Sequence, residues 1–237
     1  MEKTYDNSIN KLSEFKEELN KNKQVKRGKL YFQWIFDKTE KIQSENDEQY
    51  TFKNAKEGIL KKYRITPYIY EKCTKEEKEI INRNYHNNGN NFEFVNSNMT
   101  FEDFKIIENN ILFKRGNVVW INFGFNIGNE FGGIHPAIIL KNLDTELFVV
   151  PLSSKMPIEY RDIENYKITE QEKSDKKQEV TNVIEIKQVY GFKSMTRWAT
   201  ITRMRKVSIF RVDFYGTVGS ISGKDMDLLN EKIKQEF

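Results

Sequence analysis

The stretch from Lys114 to Lys155, KRGNVVWINFGFNIGNEFGGIHPAIILKNLDTELFVVPLSSK, decides how the chain is read. Asn117 to Phe123 mixes β-branched and aromatic residues, the types that fit a pleated surface. Gly124, Gly128, Gly132 and Gly133 then break the apolar pattern within ten residues. That spacing suits a loop whose backbone turns sharply or lies close to a neighbour. Pro136 opens Ala137-Ile138-Ile139-Leu140, a short continuous apolar run of the buried-strand kind. A turn around Asn142 to Thr145 leads into Phe148-Val149-Val150-Pro151-Leu152, with Ser153 and Ser154 at the strand end. The reading is strand, glycine loop, strand, turn, strand. A nucleotide-binding glycine loop is excluded, because Pro136 and another strand follow where those motifs need a helix.

Beyond this stretch, residues 155–178 are polar and charge-mixed, an excursion that is partly helical or disordered. Val183, Ile184, Ile186 and Val189 mark a further strand within Val180 to Val189, and Gly191 a turn. Thr196 to Val207 reads as the next strand, with Ser208 to Phe214 pairing after a kink. Ser222 caps a C-terminal helix, Lys224 to Phe237, with Met226, Leu229 and Ile233 on one face. Five or more strands and a terminal helix suit a small barrel-like β domain.

Before Lys114 the periodicity is helical. Ile9, Leu12, Phe15 and Leu19 mark a first helix, and a second runs from about Val25 to Glu48. Phe52 to Tyr63 is a third. Thr74 with Glu77 makes a capping box for Lys75 to Asn84. Asn87 to Asn91 is a break, and Thr100 opens a last helix, Phe101 to Asn109. The expected class is α+β, with a helical region over residues 1–112 and a barrel domain over 113–237. The helical part carries no catalytic motif. It reads as a cap, an intramolecular inhibitor, or an arm replacing part of a partner. Cys73 and His86 read there as incidental.

Composition excludes several classes. The 237 residues contain no apolar run long enough to span a membrane, and the first ten lack the apolar core of a secretory signal. A single cysteine, Cys73, allows no internal disulfide, which fits a reducing cytoplasm. With two histidines beside it, no cysteine- or histidine-based metal site is expected, and no cofactor. The net charge is +4, but residues 1–113 hold 20 Lys/Arg against 19 Asp/Glu, so the excess lies in the barrel half. Lys193, Arg197, Arg203, Arg205, Lys206 and Arg211 fall in one run without an acidic residue, interleaved with Trp198 and Phe210. Such a stripe suits a phosphate backbone, or pairs with an acidic protein. Trp120 and Trp198 either stack on unpaired bases or belong to the core.

The ordered set Arg115-Gly116, Trp120, Gly128-Asn129-Glu130-Phe131-Gly132-Gly133-Ile134-His135-Pro136 and Val149-Val150-Pro151-Leu152-Ser153 resembles the amino-terminal part of the MazF/PemK toxins. The resemblance is strong over about forty residues and continues more weakly to the C-terminus. It implies an SH3-like β-barrel with a C-terminal helix, commonly a homodimer. It also implies a metal-independent endoribonuclease that cuts single-stranded RNA at short sequences and is held in check by an acidic antitoxin. By position, His135 takes the place of the catalytic arginine, and Ser153 that of the catalytic threonine or serine. The implied RNA contacts are Asn129 and Glu130 in the loop, with Arg197, Arg203, Arg205 and Lys206 on the basic stripe. Period-two alternation puts Arg203 and Arg205 on one strand face. Thr202 stands where the family often has an acidic residue. Histidine suits proton transfer near neutral pH but supplies no permanent charge and no bidentate fork. The alternative is an inactive barrel that binds nucleic acid or a protein.

Overall fold

The structure, a computed structural model, describes Ser13, Glu14, Glu17 and residues 64–95, 98–124, 132–143, 145–213 and 217–237. Of the three helices expected before residue 64, only Ser13, Glu14 and Glu17 of the first are described, and these are helical and exposed; the other two lie outside the described residues. Among those described, no helix is long and apolar enough to cross a membrane.

The described N-terminal part begins with α1, Pro67–Glu71, whose Thr66 side chain accepts from the Ile69 N–H and whose proline sits in the first turn. Helix α2, Lys75–Asn84, has the expected capping box, with Thr74 and Glu77 bonding reciprocally. Glu76 and Glu77 near its start and Arg83 in its last turn match the helix dipole. A hairpin follows, β1 (Tyr85–Asn87) against β2 (Phe92–Phe94). Its asparagine-rich turn closes because the Asn87 and Asn88 side chains accept from Gly89, Asn90 and Asn91 N–H groups. Helix α3, Phe101–Ile106, continues as a π-helical turn, Ile107–Leu112, so the last helix runs further than the sequence suggests.

The barrel half has strands β3 (Asn117–Asn122), β4 (Ile134–Asn142) and β5 (Glu146–Ser153), as the opening stretch predicts. The charged excursion carries helices α4, Ile158–Asn165, and α5, Glu170–Glu179. Then come β6 (Val183–Ile186), β7 (Arg197–Thr200), β8 (Arg205–Ser208) and β9 (Gly219–Ser220). The sheet order is β6-β7-β5-β4-β3-β9, with β8 also on β5. The strand expected over Thr196 to Val207 is therefore two strands. A 3-10 turn, Ile201–Arg203, divides them, because β7 pairs with Leu152 and Ser153 while β8 pairs with Glu146 to Val149 further along β5. An Ile121–Val212 bridge returns the chain to β3 and curls the sheet.

Each strand sends alternate side chains to opposite faces. Val118, Ile138, Leu140, Val150, Leu152, Ile184 and Ala199 form one core with the terminal helix α6, Gly223–Glu236, which contributes buried Leu229. Val119, Ile121, Ala137, Ile139, Leu147, Val149 and Val207 face the other way. They form a single core with Ile65, Ile81, Phe104, Ile107, Ile111 and Phe113. The hydrophobic interior thus crosses residue 113 without a break. Polar ties reinforce it: the buried Asn117 side chain donates to the Ile111 carbonyl (2.6 Å) and the Leu112 carbonyl (3.1 Å), and Lys72 Nζ donates to Ser220 Oγ (3.3 Å).

Candidate active site

His135 is on β4, opposite Ile121 of β3, on the face that also carries Ala137 and Ile139. The hydrogen-bonded register of β4 with β5 has Ala137 opposite Pro151 at this end. Pro136 and Pro151 supply no N–H to extend it. Continued by two residues, the same register sets His135 against Ser153. The two residues assigned catalytic roles from the sequence therefore end neighbouring strands on one face.

The His135 imidazole is half-buried and hydrogen-bonded to the Gly132 backbone. Burial pushes its pKa below the ordinary histidine value, the Gly132 bond opposes this, and the positive charge of Arg203 adds to the depression. The ring is thus neutral near pH 7. Gly133 beside it has φ of 83°, a left-handed conformation that glycine adopts without strain. Ser153 Oγ is engaged in a local turn, accepting from Lys155 N–H (3.0 Å) and donating to the Lys155 carbonyl (3.3 Å).

The basic stripe separates into different environments. Arg203 ends the 3-10 turn, exposed and close enough to influence His135. Arg205 is on β8 opposite Val149, with its guanidinium 5.6 Å from the centre of the Phe123 ring. Because the turn separates them, Arg203 and Arg205 do not share a strand face by simple alternation. Lys206 is exposed and pairs with Glu146 at 3.6 Å. Arg197 is 5% exposed. Its guanidinium donates to the Lys193 and Met195 carbonyls and lies 5.3 Å over Phe192. It braces the preceding loop, so the surface contact with RNA expected of it is not available in this conformation. Asn129 and Glu130 lie outside the described residues. Trp120 stacks on Phe192 at 5.5 Å, and Trp198 is buried against Tyr160 and Val183.

One carboxylate on the same face goes unmarked in the sequence reading. Glu185 of β6 stands opposite Trp198, which stands opposite Ser153. Its signal was present, since alternation puts it on the face opposite Ile184 and Ile186. What linked it to Ser153 was the strand order, which the residue pattern does not contain.

Residues 114–237 match the family described as PemK-like, MazF-like toxin of type II toxin–antitoxin system. The chain belongs to this family. Solved structures with similarity include MazE–MazF (form II) from Deinococcus radiodurans, at 15% identity over 52% of this chain and 93% of that one, with a TM-score of 0.33. MazF (form I) from the same organism is similar at 14% identity over 52% and 94%, with a TM-score of 0.28. No curated protein matches. The family segment begins at residue 114, whereas the core it shares with the preceding chain includes Ile65.

Proposed function

We propose that this PemK/MazF-like protein is a metal-independent endoribonuclease toxin acting on single-stranded RNA at short sequences. The observation that supports it is the half-buried His135, held below its ordinary pKa and influenced by Arg203, two residues past the Ala137–Pro151 pair, where the β4–β5 register, if continued, meets Ser153. RNA carries its own nucleophile, so the protein has to remove one proton and stabilise charge on the phosphate. Neutral His135 takes the 2′-hydroxyl proton. The 2′-oxygen forms its bond to phosphorus as the P–O5′ bond breaks, and the leaving 5′-oxygen takes a proton from solvent water, giving a 2′,3′-cyclic phosphate and a 5′-hydroxyl. Arg203 and Arg205 supply the permanent positive charge that histidine lacks, and Ser153 Oγ donates to a phosphate oxygen. Asn129, Glu130 and Lys206 extend the RNA contact. The natural antagonist is an acidic antitoxin, in a cytoplasmic toxin–antitoxin or defence pair. A homodimer has to form through surfaces other than the sheet face that residues 65–113 cover.

The test is cleavage of a defined single-stranded RNA in EDTA by the full chain, with end-group analysis. Cyclic-phosphate ends that vanish in His135→Ala are expected; equal cleavage by that variant removes His135 from the mechanism. The second reading, binding without cleavage, draws on Ser153, whose hydroxyl is already paired within its own turn. It predicts RNA binding that weakens steeply with salt and no product.

A further inference from the structure

The strand registers align more than His135 and Ser153. Ser153 of β5 is opposite Trp198 of β7, and Trp198 is opposite Glu185 of β6. With the β4–β5 register continued, His135, Ser153, Trp198 and Glu185 make a row across four adjacent strands on one face. Alternation agrees, because Leu152, Ile184 and Ala199, beside them in sequence, all point into the core on the other face.

The far end of this row has a distinct chemistry. Glu185 is half-buried. Tyr160 of α4 packs with Trp198 and Val183, and its phenol is raised above its usual pKa by burial and then by the Glu185 charge. The Trp198 indole N–H is buried without an acceptor among the described residues. An acceptor-only carboxylate and an unsatisfied donor therefore occupy neighbouring positions next to the proposed scissile site.

We propose that Glu185 is a specificity residue that reads a guanine base beside the scissile phosphate, an inference that rests on the endoribonuclease reading above. Two strand spacings separate β6 from β5, about 10 Å, a span that one nucleotide's sugar and base can cover. Single-stranded RNA leaves its base edges open to hydrogen bonding. Guanine alone presents two adjacent donors there, N1–H and the N2 amino group, which match the two oxygens of a carboxylate. Adenine, cytosine and uracil each set an acceptor beside their donor, which a carboxylate repels. Half-burial strengthens such contacts and makes a mismatched edge costly.

The experiment uses the full chain and short single-stranded RNAs that differ only by guanine or inosine at the positions flanking the cleavage site. Inosine lacks the N2 amino group. Wild type is expected to lose about tenfold in kcat/KM with inosine at one flanking position, the loss of one hydrogen bond to a charged group. Glu185→Gln, folded by circular dichroism, is expected to cleave both RNAs at similar rates. An unchanged guanine-to-inosine ratio in Glu185→Gln overturns the assignment, and so does an equal loss on every RNA, which marks a general role. If wild type cleaves no RNA, the endoribonuclease reading fails. Titration of the same oligonucleotides then decides base reading separately: a guanine preference that Glu185→Gln abolishes keeps it, and no preference overturns it.

Discussion

Tyr68 and Tyr190 stack with ring centroids 4.3 Å apart and planes 13° from parallel. One belongs to α1 and the other precedes the turn at Gly191, so the contact joins the N-terminal part to the barrel. Lys72 Nζ caps the stack, 4.1 Å from the Tyr68 ring centre. Behind it lies the shared core of residues 65–113 and strands β3, β4, β5 and β8.

A chain cut to residues 114–237 is therefore expected to aggregate or to be unfolded. It would expose Val119, Ile121, Ile139, Leu147 and Val149, all within 1% of full burial in the intact chain. At about 1.5–3 kcal/mol for each such side chain, the loss rivals a domain's whole stability of roughly 5–15 kcal/mol. Solubility and circular dichroism of this fragment beside the full chain check this; a soluble, cooperatively melting 114–237 fragment refutes it.

The same junction depends on glycine. Gly191 has φ of 88°, and a Cβ there would lie 2.6 Å from Thr66 Cγ2 and 3.2 Å from the Val218 carbonyl oxygen. Gly191→Ala is expected to destabilise by about 1–3 kcal/mol through strain alone, with the clash added. Gly89→Ala is the control, with φ of 90° but nothing within 4 Å of the new Cβ. Thermal melts are expected to show the larger drop in Tm for Gly191→Ala.

The pH profile tests the state of His135. Burial first, and the Arg203 charge as a smaller contribution, hold its pKa below 6.5 in the folded protein. A neutral imidazole acting as base then gives an acid limb in kcat/KM below pH 6.5, and activity falls as pH drops through the folded pKa. Arg203→Ala is expected to move that limb upward while lowering the rate. Stability follows the same group. The folded chain binds fewer protons at His135 than the unfolded one, so its contribution holds above pH 6.5 and declines as pH falls toward the folded pKa. His135→Arg restores the residue type that the resemblance places there; it is expected to cleave RNA without this acid limb. An acid limb that is unchanged in His135→Arg assigns it to another group.

Glu108, in the π-helical turn, gives a separate stability test. Its side chain is 2% exposed, Lys105 Nζ bonds Oε2 at 3.4 Å, and Oε1 has no partner among the described residues. Burial raises its pKa, and Lys105 opposes this. The folded state therefore disfavours the ionised form, a cost present at neutral pH and relieved as pH falls through the folded pKa. Glu108→Gln keeps the shape without the charge and is expected to stabilise by about 1 kcal/mol at pH 7. That gain is expected to shrink in acid. Denaturant unfolding at two pH values measures it; a destabilised variant at pH 7 shows that the Lys105 pair outweighs the burial.

Much of the fold was legible in the residues because its signals are local. The capping box of Thr74 and Glu77, the asparagine turn before Phe92, the three strands around the glycine loop and the Ser222-capped terminal helix each depend on neighbours a few positions apart. The basic stripe was legible as charge but not as surface. Arg197 looks like Arg203 in sequence, yet one is enclosed by its own loop's carbonyls and the other is exposed. The 3-10 turn at Ile201–Arg203 was also hidden, since it arises where two strands share the edge of β5.

By itself, then, the residue order determined the strand–loop–strand unit, the family resemblance and the position of His135 before Pro136. Periodicity, glycine placement and capping act over a few bonds, and such information is written in the chain directly. Tertiary structure alone decided that residues 65–113 complete the barrel's core, that Arg197 faces inward, and that Ser153, Trp198 and Glu185 stand in line. Those relations depend on which strands pair and in what register, contacts that reach from Glu185 to Trp198, 13 positions on, and from Lys72 to Ser220, 148 positions on. A local pattern states which face a side chain takes, but not what that face meets.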